Sequence, residues 1–184
     1  MGLREPWILY AGALDSRKNV QLLLRAIERL SERGQKPTLV LAGQKWFGSR
    51  AVEREVVRLR QKGIDIRMLG YLAATPFYAL MRRASIFVFP SLYEGFGLPP
   101  LEAMYLGVPC IVSTGGSLNE ICGPGAEMIH PNDAETLSLK LEMLLTNTDR
   151  RQALSARGRL WAEKFRWANT AAQTAEVYRR VATL

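Results

Sequence analysis

Six short apolar runs, each joined to the next by a segment with the features of a helix, constrain this chain more than any other feature of its sequence. Trp7 to Gly12 is apolar until it ends at glycine, then leads through a polar turn into Val20, Leu23, Leu24, Ile27 and Leu30 at helical spacing. Gly34 closes that helix, and Thr38 to Gly43 repeats the arrangement. A charged helix over about 50 to 62 precedes a third run, Ile64 to Leu69, and a short helix over Thr75 to Arg83 precedes a fourth, Ser85 to Pro90. A helix over Leu98 to Leu106, a strand over Val108 to Ser113, a short helix over Leu118 to Cys122 and a short strand over Glu127 to Ile129 follow. Runs that are near-continuously apolar, instead of alternating, belong to strands buried on both faces. Their alternation with helices implies a parallel sheet between helical layers.

The expected fold is therefore α/β, a Rossmann-like three-layer domain with a parallel sheet of about six strands. Beyond Ile129 only helical stretches remain, near 133 to 146, 149 to 164 and 168 to 183, so residues 149 to 184 read as a helical tail. Neither a repeat nor a low-complexity linker divides the 184 residues, which read as a single domain.

No apolar run reaches the roughly 18 to 20 residues that span a bilayer, and Met1 to Pro6 lacks a secretory leader, which gives the expectation of a cytoplasmic protein. Cys110 and Cys122 show no metal-type spacing and read as buried thiols. The formal charge of +8 is spread over many helices without interleaved aromatic residues, which speaks against a nucleic-acid partner. It leaves peripheral contact with an acidic membrane at its inner face as an expected association.

In open parallel sheets, ligands bind where the carboxyl ends of strands lead into helices. The loop Gly12 to Asn19 places Arg17 and Lys18 there, a planar fork and a point charge suited to phosphate oxygens, with Ser16 or Asn19 as the candidate helix cap. The loop Ser91 to Leu98 carries Glu94, Gly95, Phe96 and Gly97 into a helix whose first turn holds Pro99 and Pro100. Unpaired amides at that helix start are expected to attract phosphate, and Glu102, about one turn further on, suits ribose hydroxyls. Taken as spacing alone, Gly-x-Gly between two carboxylates is equally compatible with a solvated turn, and it is not the dinucleotide fingerprint.

These residues resemble a known family. Tyr10-Ala11-Gly12, Arg17-Lys18-Asn19, Leu69-Gly70-Tyr71, the segment Pro90 to Pro99, Glu102-Ala103-Met104, Gly107-Val108-Pro109, and Gly115-Gly116 through Glu120 are similar to the carboxyl-terminal domain of the large retaining glycosyltransferase family, group 1, with its Glu-x7-Glu motif. The resemblance covers nearly the whole chain. It implies one half of a GT-B architecture, a donor-binding domain for a nucleoside-diphosphate sugar, with the amino-terminal acceptor domain absent. Met1-Gly2 directly before the first strand fits excision from a longer chain.

By that resemblance Lys18, and Arg17 with it, would neutralise the diphosphate, and Glu94 with Gly95, Phe96, Gly97 and Leu98 would meet sugar and phosphate. Glu102 would hold the ribose, Leu69 and Gly70 would lie against the nucleobase, and Gly12 would line the donor site. Gly12-Ala13 departs from the Gly-Arg found in many members, so Arg17 is assigned the missing cation's role. The expected transfer moves a hexose, with Arg-Lys-Asn favouring mannose from a GDP-linked donor over a UDP-linked one, without a metal or other cofactor. Expected partners are the nucleotide sugar and an acceptor domain or separate subunit, with self-association through exposed tail aromatics. The alternative is a non-catalytic nucleotide-sugar-binding or partner-subunit module.

Overall fold

The computed structural model describes residues 3 and 5–182. Six strands form one parallel sheet: β1 (Trp7–Ala11), β2 (Thr38–Ala42), β3 (Ile66–Gly70), β4 (Ile86–Phe89), β5 (Cys110–Ser113) and β6 (Glu127–Ile129), in the order β3-β2-β1-β4-β5-β6. Every residue of β1, β2, β4 and β5 is buried, as their unbroken apolar runs require. Side chains such as Trp7, Tyr10, Phe87 and Phe89 are removed from water on the two faces. Each large apolar side chain buried in this way stabilises the fold by roughly 1.5 to 3 kcal/mol.

The helices α1 (Val20–Glu32), α2 (Ser49–Gln61), α3 (Ala74–Arg82), α4 (Leu98–Tyr105), α5 (Leu118–Cys122) and α6 (Ala134–Thr146) fill the connections. Val20, Leu23, Leu24, Ile27 and Leu30 form the buried stripe of α1, which packs on α6 and α2. The sequence of crossovers is Rossmann-like. The chain winds outward from β1 to β3, then returns beside β1 at β4 and winds the other way, so the β1 and β4 loops part at a switch point.

Two strands begin later than the apolar runs suggest, for one reason. The amide of Ile64 still bonds to the carbonyl of Leu59 in α2, and that of Val108 to Ala103 in α4, so these residues finish a helix before β3 and β5 can start. The tail also divides. α7 (Thr148–Ala162) packs on α4 and on the 3-10 turn Gly123–Gly125, with Leu154, Gly158 and Ala162 buried. Trp161 donates from Nε1 to Ile121 O at 2.8 Å, and Phe165 packs against the core. α8 (Trp167–Ala182) buries no residue, and Trp167 is 85% exposed.

Candidate donor site at the switch point

The loop after β1 is held from several directions. Asp15 caps a 3-10 turn over Ser16–Lys18, its carboxylate accepting from the Lys18 amide at 3.0 Å, while Asn19, not Ser16, holds the N-cap position of α1 without a side-chain capping bond. Asn19 instead adopts φ 53°, a left-handed conformation that asparagine tolerates. Its Nδ2 donates to Pro90 O at 3.1 Å and Pro131 O at 2.7 Å, which ties the loop to the ends of β4 and β6. The turn aims Lys18 inward. Its Nζ lies 2.6 Å from Glu94 Oε1 and 5.1 Å from the centre of the Phe89 ring. Arg17 is not part of this pair. Its carbonyl accepts from the Leu92 amide at 2.8 Å, while its side chain is exposed and has no partner among the described residues.

Glu94 is only 8% exposed, and its own backbone is gripped from β5's loop. Ser117 donates its amide to Glu94 O at 3.0 Å, and its hydroxyl lies 3.1 Å from both Glu94 O and Phe96 O. Gly97 takes φ 104°, and a Cβ there would fall 2.5 Å from Leu118 Cδ2, so this position admits only glycine without rearrangement. Phe96 meets Phe165 edge-on at 6.3 Å. The start of α4 is poorer in donors than expected from a bare helix end. Pro99 and Pro100 carry no N–H, which leaves Leu98 and the preceding loop amides to face an anion.

Beside this loop a cleft of about 350 Å³ opens at the carboxyl ends of β1 and β2. Gly12, Gly43, Tyr71, Phe77, Pro99 and Glu102 line it. Gly12 lies between the two parts of the site: a Cβ added there would fall 3.8 Å from the Phe89 ring that Lys18 overlies. Of the residues expected at the nucleobase, Leu69 packs against the core and the Gly70 carbonyl accepts from the Gly43 amide at 2.8 Å. The wall comes from the next residues, Tyr71 and Leu72, together with Phe77. A register shift between Leu41 and Ala42 pairs Ala42 with Gly70 and so spends one residue of β3 before the chain leaves the sheet.

Glu102 accepts from the Tyr78 hydroxyl at 2.8 Å, a contact between α4 and α3 that spacing could not reveal. The roles of Asn19 and Ser117 are likewise tertiary, since each bonds to residues far along the chain, whereas Asp15 is a local cap. His130, the only histidine, is exposed, with Nδ1 accepting from the Asn132 amide, and does not line the cleft. Among the described residues no three His, Cys, Asp or Glu side chains are grouped as metal ligands would be.

The family model for glycosyl transferases group 1 matches residues 2–161. The chain is 36% identical over 174 residues to the O-antigen chain mannosyltransferase B of Escherichia coli, covering 94% of this chain and 45% of that protein. It is 35% identical over 179 residues to the glycogen synthase of Mycobacterium tuberculosis, covering 93% of this chain and 42% of that enzyme. In three dimensions it is similar to the sucrose-phosphate synthase of Thermosynechococcus elongatus, with a TM-score of 0.79 and 26% identity, over 97% of this chain and 46% of that one. The chain thus spans less than half the length of each of these three relatives.

Proposed function

The chain belongs to the group 1 glycosyl transferases, and from that premise we propose that it is the donor-binding half of a retaining hexosyltransferase that uses a nucleoside-diphosphate sugar. The observation that carries this reading is the adjacency of two features at the switch point. One is the Lys18–Glu94 pair, and the other is the cleft containing Gly12 and Glu102. Apolar and aromatic walls at Tyr71, Leu72 and Phe77 suit a nucleobase, and Glu102 suits ribose hydroxyls. Lys18 then reaches the diphosphate with the amides from Gly95 to Leu98, and exposed Arg17 supplies a second cation to the leaving group.

Retention passes through an oxocarbenium-like state in which positive charge grows on the sugar and negative charge on the diphosphate. Lys18 stabilises the second, and Glu94, a nearly buried ionic partner in a largely exposed loop, serves the first as an electrostatic and hydrogen-bonding group. The diphosphate itself assists the incoming acceptor on the same face. No metal is required for this division of labour. Mannose from GDP-mannose is the favoured donor, a choice supported by the likeness to an Escherichia coli mannosyltransferase. The acceptor wall belongs to an amino-terminal half or separate subunit, and the working location is the cytoplasmic side, in peripheral contact with the membrane's inner face.

Calorimetric titration of the chain with GDP and UDP tests this reading. Binding of GDP in preference to UDP, weakened at least tenfold by Lys18→Ala and by Glu102→Ala, is the expected result. The loss of a hydrogen bond to a charged group supports that scale, about 1.5 to 3 kcal/mol. Absence of binding to either nucleotide would sink it.

A further inference from the structure

We propose that Tyr78 is a positioning residue that fixes the Glu102 carboxylate for a ribose, and so sets how strongly this site distinguishes ribonucleotides from nucleotides lacking ribose hydroxyls. The inference rests on the donor-site reading above and adds to it a residue from a different helix.

Glu102 lines the cleft from the first turns of α4, while Phe77 lines the same cleft from α3. The next residue of α3, Tyr78, crosses to Glu102 and donates to Oε1 at 2.8 Å. Glu102 has no Lys or Arg ion pair among the described residues, in contrast with Glu94, and its carboxylate accepts from the Tyr78 hydroxyl. Tyr78 is 41% exposed and could bond to water, so its hydroxyl does not need the carboxylate for burial. The contact instead removes a rotational freedom from Glu102, whose side chain would otherwise sample several rotamers at the rim. A carboxylate already held by one oxygen binds a diol with less ordering still to be done. The same contact holds the Tyr78 phenol above its ordinary ionisation range, so it remains a donor throughout neutral pH.

Tyr78→Phe removes one oxygen and leaves the ring, the helix and its neighbours in place. The test compares Tyr78→Phe with the unaltered chain, titrating each with GDP and with 2′,3′-dideoxy-GDP. The variant is expected to bind GDP about three- to tenfold more weakly, the scale of one hydrogen bond to a charged group lost indirectly. Its affinity for the dideoxy nucleotide should stay unchanged, because that ligand never engages Glu102. A loss that is equal for both nucleotides would mean that Tyr78 merely shapes the cleft, and an unchanged affinity for GDP would mean that Glu102 needs no positioning; each overturns the proposal while leaving the donor site intact. Failure of the unaltered chain to bind GDP would overturn the donor-site reading first and this proposal with it.

Discussion

Lys18 and Glu94 lie 76 positions apart in sequence, yet their side chains meet at 2.6 Å, with 15% and 10% of their surfaces left to solvent. The pair joins the loop after β1 to the loop after β4 across the switch point. Under the proposed function, Lys18 is already paired before a diphosphate arrives, so the ligand would share it with Glu94 instead of finding it free.

Removing one member of so enclosed a pair leaves the other charged and without a partner. Lys18→Ala is expected to lower unfolding stability by about 3 kcal/mol, the scale of a broken buried ion pair. Glu94→Gln keeps an acceptor for the ammonium and should cost less than half as much. Urea denaturation of both variants measures the difference, and equal, small losses would show the pair to be solvated in practice.

Gly43 offers a sharper steric case at the mouth of the cleft. A Cβ at this position would fall 1.8 Å from the Gly12 carbonyl oxygen, a backbone atom that cannot swing aside. Gly43→Ala should therefore part the ends of β1 and β2, lowering stability by about 2 to 4 kcal/mol and abolishing nucleotide binding together. Gly63→Ala has no atom within 4 Å to strike, and its cost is confined to the backbone strain of its positive φ, about 1 kcal/mol. Thermal unfolding of the two variants should rank them in that order.

Remote from the cleft, Glu28 accepts from Arg58 through both its oxygens and from Lys62 at 2.6 Å. These hydrogen bonds pull its carboxyl from 4.5 down to about 2. A carboxyl depressed on folding contributes stability that is fully present above its unfolded value, near 4.5, and is lost as the pH falls through the folded value. Because Arg58 and Lys62 are largely open to solvent, the contribution is modest, about 1 kcal/mol. Glu28→Gln should thus be less stable than the unaltered chain at pH 6 and converge with it toward pH 2. Parallel stability curves over that range would contradict the assignment.

Sequence alone determined the layered α/β fold, because unbroken apolar runs such as Ile86–Phe89 are stable only with both faces covered. It also placed Lys18 and Glu94 in the loops after the first and fourth apolar runs, whose ends are marked by glycine and proline, and Glu102 on the helix that follows the second of these loops. Tertiary structure decided what those residues touch. Asn19 reaches Pro90 and Pro131, and Tyr78 reaches Glu102, because parallel crossovers bring distant loops to one edge of the sheet, a relation that carries no local periodicity. The same is true of the tail, where α7 carries Trp161 and α8 carries Trp167 and Tyr178. Only packing against α4 and the Gly123–Gly125 turn distinguishes the covered Trp161 from the exposed Trp167, since burial depends on what lies opposite a face and a single helix does not encode its neighbour.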